Sequence, residues 1–482
     1  MLTDGASLED GMMYTRGSAE DFDRFASVSG DKGWSWDALQ PYIRKNEKWT
    51  APADHHDTRG QFDPRIHSTT GINAVSLPGF PQPISPRIIQ TTQELKSEFP
   101  LNLDINSGRP LGVSWLQSTI AGSNRSTSST SYLGPQFIIR PNLHVLLHAR
   151  VTRLLESKRR EFRTVEFLSN GQGSRTRVSA TKEVVLSAGS INTPHILMHS
   201  GIGDRAELTK FGIKPTVHLP DVGKNLTDQP RLVNSWFVNS TNTFEAYTRN
   251  ATLSAELLEL WKDKHMGPYV DGQGTHLIAM RLPDDTLAMK MHQDPAAGRH
   301  TPHIEIATVN GVNPSLTPPT GNFISFVTEV VSPTSRGSIQ LQSSDPLDPP
   351  LIDPALLKTA FDISAMRFAV KAAFRFLSAP VWQDYIIRPQ DALAAAESNN
   401  TAMDEYIRTN AGTTCHPVGT AGMSAKDADY GVVDPDLRVK GVTGLRVVDA
   451  SVFPFVTSAH TQAPVYIVAE RAADIIKAAW HE

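Results

Sequence analysis

The chain has 482 residues, a net charge of −4, a hydrophobic fraction of 39% and a mean hydropathy of −0.27. This length allows two or three ordinary domains or one large two-part enzyme, and the composition is that of a globular protein. Without a basic block or a long apolar run, neither nucleic-acid binding nor a membrane-spanning helix is expected. The single cysteine, Cys415, excludes an intrachain disulfide and a cysteine zinc site, and no metal site is predicted. The first residues lack the basic start and the apolar core of a signal peptide.

The first predicted element is a helix capped by Ser18, because Glu20 and Asp21 follow it as acidic first-turn residues. A second helix is predicted to open within residues 33–37. From about 40 to 130 the chain is rich in Pro, Gly and Ser, which is typical of irregular segments packed over a site.

Residues 142–189 have the character of a sheet. Apolar residues alternate from Leu143 to Val151, which predicts a half-buried strand, and the apolar run 183–188 predicts a central strand covered on both faces. That run ends at Gly189, and Thr193-Pro194 is predicted to start a helix. A helix N-terminus beyond the carboxyl end of a strand is where open α/β sheets bind ligands.

Residues 230–425 contain alternating runs, such as 323–330 and 337–341, that predict antiparallel strands. An amphipathic helix is predicted from Asp362 to Leu377. A serine hydrolase is disfavoured, because Ser200 is not part of a Gly-x-Ser-x-Gly elbow.

Two histidines near the C-terminus are the candidate catalytic residues. His416 lies in Thr-Cys-His-Pro-Val-Gly-Thr, and His460 directly precedes a predicted helix with Pro464 in its first turn. A neutral imidazole can take a proton from a hydroxyl group, and a helix N-terminus behind it stabilises developing negative charge.

Several motifs together resemble one family, the glucose-methanol-choline (GMC) oxidoreductases, which oxidise alcohols with FAD. Residues 189–203 read Gly-Ser-Ile-Asn-Thr-Pro-His-Ile-Leu-Met-His-Ser-Gly-Ile-Gly and are similar to the second signature of that family. Residues 11–23 resemble the end of its first signature, and the two histidine motifs resemble its C-terminal signature. The resemblance covers nearly the whole chain and is strongest to the fungal aryl-alcohol oxidase branch.

The resemblance implies an α/β fold, α+β overall. A Rossmann-like FAD-binding domain, incomplete at its N-terminus, is expected from residues 1–35, 139–228 and 427–482. A substrate-binding domain with an antiparallel sheet and helices is expected from residues 36–138 and 229–426.

The resemblance also implies roles for individual residues. His416 would take the hydroxyl proton while a hydride passes to flavin N5, and His460 would hold the substrate oxygen. The expected FAD-binding residues are Val151, Asp449, Ala450, Thr461 and Gln462.

The chain departs from the family pattern at several positions. Aromatic residues that surround the substrate in the aryl-alcohol branch are replaced by Cys415, Val312 and Gly11, which weakens the case for a benzylic alcohol. The family histidine after Val-Gly-x-Asn-Leu-x-Asp is Gln229. The Gly-Gly-Ser-rich turn of the first signature is changed at residues 4–9, and its asparagine is Asp10. No Gly-x-Gly-x-x-Gly turn for the FAD pyrophosphate is found in the sequence.

Three hypotheses follow. The first is FAD-dependent oxidation of a primary alcohol, aromatic alcohols included, to an aldehyde, with O2 or a quinone as electron acceptor. The others are a truncated or degenerate, non-catalytic relative that cannot hold FAD, and a relative similar to the hydroxynitrile lyases of the family. A monomer without nucleic-acid or membrane partners is expected. Secretion and glycosylation are expected from the resemblance and from five Asn-x-Ser/Thr sequons, which begin at Asn124, Asn225, Asn239, Asn250 and Asn399.

Overall fold

The computed structural model describes residues 11–170, 173–312 and 317–480. The altered turn at 4–9 and Asp10 lie outside the described residues. The α-helices are α1 (Ala19–Ser29), α2 (Trp36–Asn46), α3 (Ser85–Glu94), α4 (Ser128–Tyr132), α5 (Pro135–Ile138), α6 (Gly189–His199), α7 (Arg205–Lys210), α8 (Glu245–Thr248), α9 (Ala251–Lys264), α10 (Leu287–Met291), α11 (Ala360–Leu377), α12 (Asp391–Ala396), α13 (Asn400–Asn410) and α14 (Gln462–Ala479). In the described ranges none of them is both long enough and apolar enough to cross a bilayer.

Most strands are short, and the longer strands belong to two sheets. They are β1 (Glu47–Trp49), β2 (Asn73–Val75), β3 (Gly112–Trp115), β4 (Ile120–Ala121), β5 (Asn124–Arg125), β6 (Ala149–Lys158), β7 (Glu161–Ser169), β8 (Thr176–Ser179), β9 (Val184–Leu186), β10 (Ile202–Gly203), β11 (Val217–His218), β12 (Pro230–Val238), β13 (Gly274–Met280), β14 (Ile304–Val309), β15 (Phe323–Val330), β16 (Ser338–Gln340), β17 (Leu351–Asp353), β18 (Ile386–Pro389), β19 (Gly412–Thr413) and β20 (Leu445–Val447). Short 3-10 turns lie at Lys32–Trp34, Ile105–Ser107, Pro268–Val270, Pro380–Trp382 and Ala450–Val452.

The largest sheet has seven strands and is antiparallel. Its order is β18-β12-β15-β14-β13-β3, and β19 also pairs with β12. The predicted strand at 323–330 is confirmed as β15, and α11 confirms the helix predicted at 362–377. The register places Glu329 directly opposite Glu305 on one side and Arg231 on the other.

A small parallel sheet forms the other part of the fold. Strand β9 pairs with β20, and α6 begins three residues beyond the end of β9. The prediction of a doubly covered strand was wrong, because Val185 is 41% exposed. Helix α6 starts at Gly189, so the predicted start at Thr193-Pro194 was also wrong and Pro194 lies inside the helix.

Two large hydrophobic cores underlie these sheets, beside two small clusters. One joins α1, α2, α6 and α14 to strands β6, β7, β9 and β20, and Phe25, Leu197 and Val447 are among its buried members. The other packs α11 and α3 against the seven-stranded sheet, around Trp236, Phe326 and Phe376. The proposed division into an FAD-binding and a substrate-binding domain stays a prediction.

Helix α1 is anchored to the C-terminal part of the chain. Ser18 caps it in a capping box with Asp21, as the sequence predicts, and Gly30 ends it with a φ of 70°. The Asp21 carboxylate also accepts hydrogen bonds from the Ser458 amide at 3.0 Å and its hydroxyl at 2.6 Å. The first described helix therefore holds the segment that leads to His460.

Candidate active site

His416 lies in a loop after β19 whose backbone is held by a buried carboxylate. Asp228 accepts a hydrogen bond from the His416 amide at 3.0 Å and another from the Thr413 hydroxyl. Thr413 in turn accepts from the Cys415 amide at 2.7 Å, and this supports the left-handed conformation of Cys415, with a φ of 64°. Burial raises the pKa of Asp228, against the opposing effect of these donors.

The imidazole of His416 is buried, and its Nδ1 lies 2.6 Å from Gln229 Oε1. Burial lowers the pKa of His416 well below its usual value, and the neighbouring His460 and Arg231 lower it further. The ring is therefore neutral near pH 7, which is the form that can accept a proton.

His460 faces His416 from the segment before α14. Its backbone amide donates to the Thr15 hydroxyl at 2.8 Å, and its Nε2 lies 2.8 Å from Glu305 Oε1. The two imidazole centroids are 4.9 Å apart, and the ring planes are nearly perpendicular at 86°. The predicted pair of histidines is thus brought together, with a side-chain partner behind each ring.

Two carboxylates from the large sheet border this pair. Glu305 and Glu329 are both buried, and Glu329 Oε2 has no hydrogen-bond partner among the described residues. Burial raises the pKa of Glu329 to about 7; His460 opposes this rise and Glu305 adds to it. Ligand atoms of Glu329, His416 and His460 lie within 4.8 Å of one another, a donor set of the type that can bind zinc.

Sequence reasoning missed the roles of Gln229, Glu305 and Glu329. A signal was present, because each glutamate is the only charged residue of its strand, and a charged residue is rarely buried there without a function or a partner. Their pairing could not be read from the sequence, since it depends on the register of β14 against β15.

The residues predicted to bind the flavin ring lie at the N-terminus of α14. Thr461 and Gln462 are buried, and the Gln462 amide has both its Oε1 and its Nε2 without a partner in the described part of the chain. Such an amide can pair with a group that carries both donors and acceptors, as the pyrimidine edge of a flavin does. The partial positive charge of the α14 N-terminus suits an anionic reduced flavin. These residues therefore fit FAD.

A second helix N-terminus lies beside the parallel sheet. Gly189, the first residue of α6, has a φ of 78°, and a Cβ there would meet open space. The hydroxyl of the next residue, Ser190, is buried without a described partner. Open space and a buried hydroxyl at a helix N-terminus beyond the carboxyl end of β9 suit the phosphates or ribityl chain of a dinucleotide.

The remaining predicted cofactor-binding residues make structural contacts within the chain. The Asp449 carboxylate accepts from the Gly189 amide at 2.9 Å and from the Thr193 hydroxyl at 2.6 Å, and thereby joins α6 to the turn after β20. Ala450 is half-buried, and its carbonyl accepts from the Gly419 amide. Val151 is half-buried in β6, next to a register shift against β7. Their contacts to FAD stay predictions.

The three predicted pocket residues lie on separate segments of the chain, and their common pocket stays a prediction. Cys415 is exposed next to His416. Gly11 is also exposed, and its carbonyl would lie 3.0 Å from a Cβ added at Gly272. Val312 is buried beyond the far end of β14 from Glu305, and its amide donates to Glu245 at 2.7 Å. Since four residues of strand span about 13 Å, Val312 is separated from the histidine pair along β14.

The paired histidines, the unpartnered Gln462 amide and the open N-terminus of α6 fit the class of flavin-dependent oxidoreductases. Models of the GMC oxidoreductase family match residues 4–231 with their N-terminal part and residues 333–469 with their C-terminal part. The chain belongs to the GMC oxidoreductase family, whose cofactor is FAD, and the resemblance found in the sequence is confirmed.

Similar proteins agree with this assignment. Dehydrogenase eriK from Hericium erinaceus is 44% identical over 485 residues, which are 98% of this chain and 80% of the relative. Pyranose dehydrogenase from Agaricus campestris is 38% identical and covers 99% of this chain and 80% of its own length. Among solved structures, a variant of Aspergillus oryzae formate oxidase gives a TM-score of 0.88 at 26% identity, covering 98% of this chain and 82% of that one. A fungal aryl-alcohol oxidase gives 0.84 at 28% identity, covering 99% and 86%.

Proposed function

We propose that this protein oxidises a primary alcohol to an aldehyde, with His416 as the base that takes the hydroxyl proton. The observation that carries the proposal is the perpendicular pair of imidazoles, 4.9 Å apart, each hydrogen-bonded to a buried side chain. FAD, when bound, supplies the acceptor for the hydride that leaves the carbinol carbon.

His416, His460 and Glu305 would each have a separate role in the reaction. An alcohol is too weak an acid to lose its proton unaided, so a neutral imidazole within reach lowers the barrier. His460 would hold the substrate oxygen, and Glu305 would fix the orientation of that ring through its bond to Nε2. Because both rings are anchored, little reorganisation is needed when the alcohol binds.

The substrate side is less apolar than a benzylic pocket requires. Cys415 replaces an aromatic residue next to the base, and the carboxyl of Glu329 lies beside both imidazoles. Buried carboxyl groups bind hydroxyl-bearing ligands well. Two of the similar proteins are named dehydrogenases, one of them a pyranose dehydrogenase, so a sugar hydroxyl is proposed beside an aryl alcohol. The electron acceptor is proposed to be O2 or a quinone.

The test is the visible absorption spectrum of the purified protein after loading with FAD. Alcohols of the right class should bleach the flavin bands under nitrogen, with benzyl alcohol and glucose as the two probes. His416→Ala should slow the bleaching about 100-fold or more, since a positioned base contributes about 10²–10⁴-fold. His199→Gln is a matched control, because it changes a buried histidine in the C-terminal turn of α6.

The outcomes separate the hypotheses. Bound flavin that no alcohol reduces would contradict the oxidation and favour a lyase similar to the hydroxynitrile lyases. A protein that retains no FAD would favour the non-catalytic relative.

Secretion, glycosylation and a monomeric state are also proposed. The asparagines of all five sequons are exposed, which supports glycosylation. A mass shift on treatment of the fungal-expressed protein with an endoglycosidase would support the proposal, and an unchanged mass would contradict it. Light scattering would test the monomer.

A further inference from the structure

The side chain of Gln229 has a single orientation that its surroundings permit. Its Nε2 lies 3.2 Å from the carbonyl oxygen of Val331 and 3.1 Å from that of Thr457. These two acceptors use both amide hydrogens. A flipped amide would place Oε1 against two carbonyl oxygens with no hydrogen between them, which is repulsive in a fully buried position.

The oxygen of the Gln229 amide therefore points at His416. Oε1 is 2.6 Å from His416 Nδ1, and an amide oxygen only accepts hydrogen bonds. The hydrogen in this contact must belong to the imidazole. A neutral imidazole carries one N–H, so its Nε2 then keeps a lone pair.

We propose that Gln229 is a positioning residue that fixes His416 in the Nδ1–H tautomer, so that Nε2 is the atom that accepts the substrate proton. This inference rests on the proposed function for its catalytic consequence, but the tautomer itself is independent of it. The residue also holds the loop: its carbonyl accepts from the Thr414 amide at 3.0 Å and from the Thr414 hydroxyl at 2.7 Å. The side chain of Gln229 thus sets the tautomer of the base, and the backbone carbonyl of the same residue, directly before β12, helps to hold the loop of the base.

The experiment reads the tautomer directly in the protein as purified, before any assay of turnover. Protein labelled with ¹⁵N-histidine is examined by long-range ¹H–¹⁵N correlation, and the signal of His416 is assigned as the one absent from His416→Gln. The wild type should show Nδ1 protonated and Nε2 unprotonated at pH 7. Gln229→Leu, which has no acceptor, should lose this preference. Gln229→His is the rescue variant, because a second imidazole can donate from one nitrogen and accept at the other.

Kinetics provide the second readout. In FAD-loaded protein, Gln229→Leu should lower kcat/KM for the alcohol about 100-fold, while Gln229→His should recover most of it. A wild-type spectrum with Nε2 protonated would overturn the inference even in an active enzyme. A wild type that oxidises no alcohol would overturn the proposed function and leave the tautomer assignment intact. If Gln229→Leu does not fold, the spectra of the wild type and of Gln229→His still test the inference.

Discussion

Replacing Glu329 by Gln should make the protein more stable at neutral pH and leave it unchanged in acid. The carboxyl of Glu329 is buried opposite Glu305, and its pKa is raised to about 7 from an ordinary value of 4.5. A group whose folded-state pKa is raised contributes stability that is fully present below 4.5 and is lost as the pH rises through about 7. At about 1.4 kcal/mol per pKa unit, the loss by pH 8 is about 3 kcal/mol.

Glutamine has nearly the same shape and carries no charge, so it escapes this loss. The assay is urea unfolding of wild type and Glu329→Gln at pH 4.5 and pH 8, with the difference between the proteins as the measured quantity. That difference should grow by about 3 kcal/mol toward the higher pH, because titrating groups that do not interact with Glu329 cancel between the two proteins. A difference that does not change with pH would refute the reasoning, since it would mean that Glu329 titrates alike in the folded and unfolded chains.

Three further predictions follow from other contacts. Glu305→Gln weakens the hydrogen bond that orients His460, so kcat/KM in initial-rate assays should fall about tenfold while FAD binding persists. An unchanged kcat/KM would exclude this orienting role. Burial raises the pKa of Glu47, but its buried partner Arg16 and other contacts lower this pKa to about 2. The stability that Glu47 contributes is therefore present above pH 4.5 and is lost as the pH falls through about 2. Glu47→Gln should therefore cost about 3 kcal/mol in urea unfolding at pH 7 and little at pH 2, and an equal cost at both would contradict the assignment. Gly189→Ala forces an L-residue to a φ of 78° and should lower the free energy of unfolding by about 1 kcal/mol. Gly441→Ala, at a φ of 73°, is the matched control, because it measures the same backbone cost outside α6.

Much of the fold could be predicted from the sequence because local patterns determine it. The capping box at Ser18, the strand Phe323–Val330 and the helix after His460 all depend on residues that are close in sequence. The strand predicted from Leu143 to Val151 failed, since the structure begins β6 at Ala149 and leaves Leu147 60% exposed. Strand β6 begins where its pairing with β7 begins, at Ala149 opposite Ser169, and three register shifts separate this pair from the hairpin at Lys158 and Glu161.

The residues of the candidate site also divide into those that the sequence predicts and those that it does not. Its two histidines could be found because each lies in a family motif. The groups that surround them could not, because Glu305 and Glu329 reach the site from two strands of the large sheet and Gln229 reaches it from the residue before a third strand, β12. Only the packing of that sheet against the C-terminal segment brings these side chains to the imidazoles.

The contacts of Asp21 have a consequence for the motions of the protein. Its carboxylate closes the N-terminal capping box of α1 and also binds both the amide and the hydroxyl of Ser458, two residues before His460. Opening the first turn of α1 therefore breaks the bonds that hold the His460 segment, and the two segments should open as one cooperative unit. Native-state hydrogen exchange should then report the same opening free energy for amides of α1 and for the Ser458 amide. His460 would therefore be only as rigid as a helix formed by the other end of the described chain.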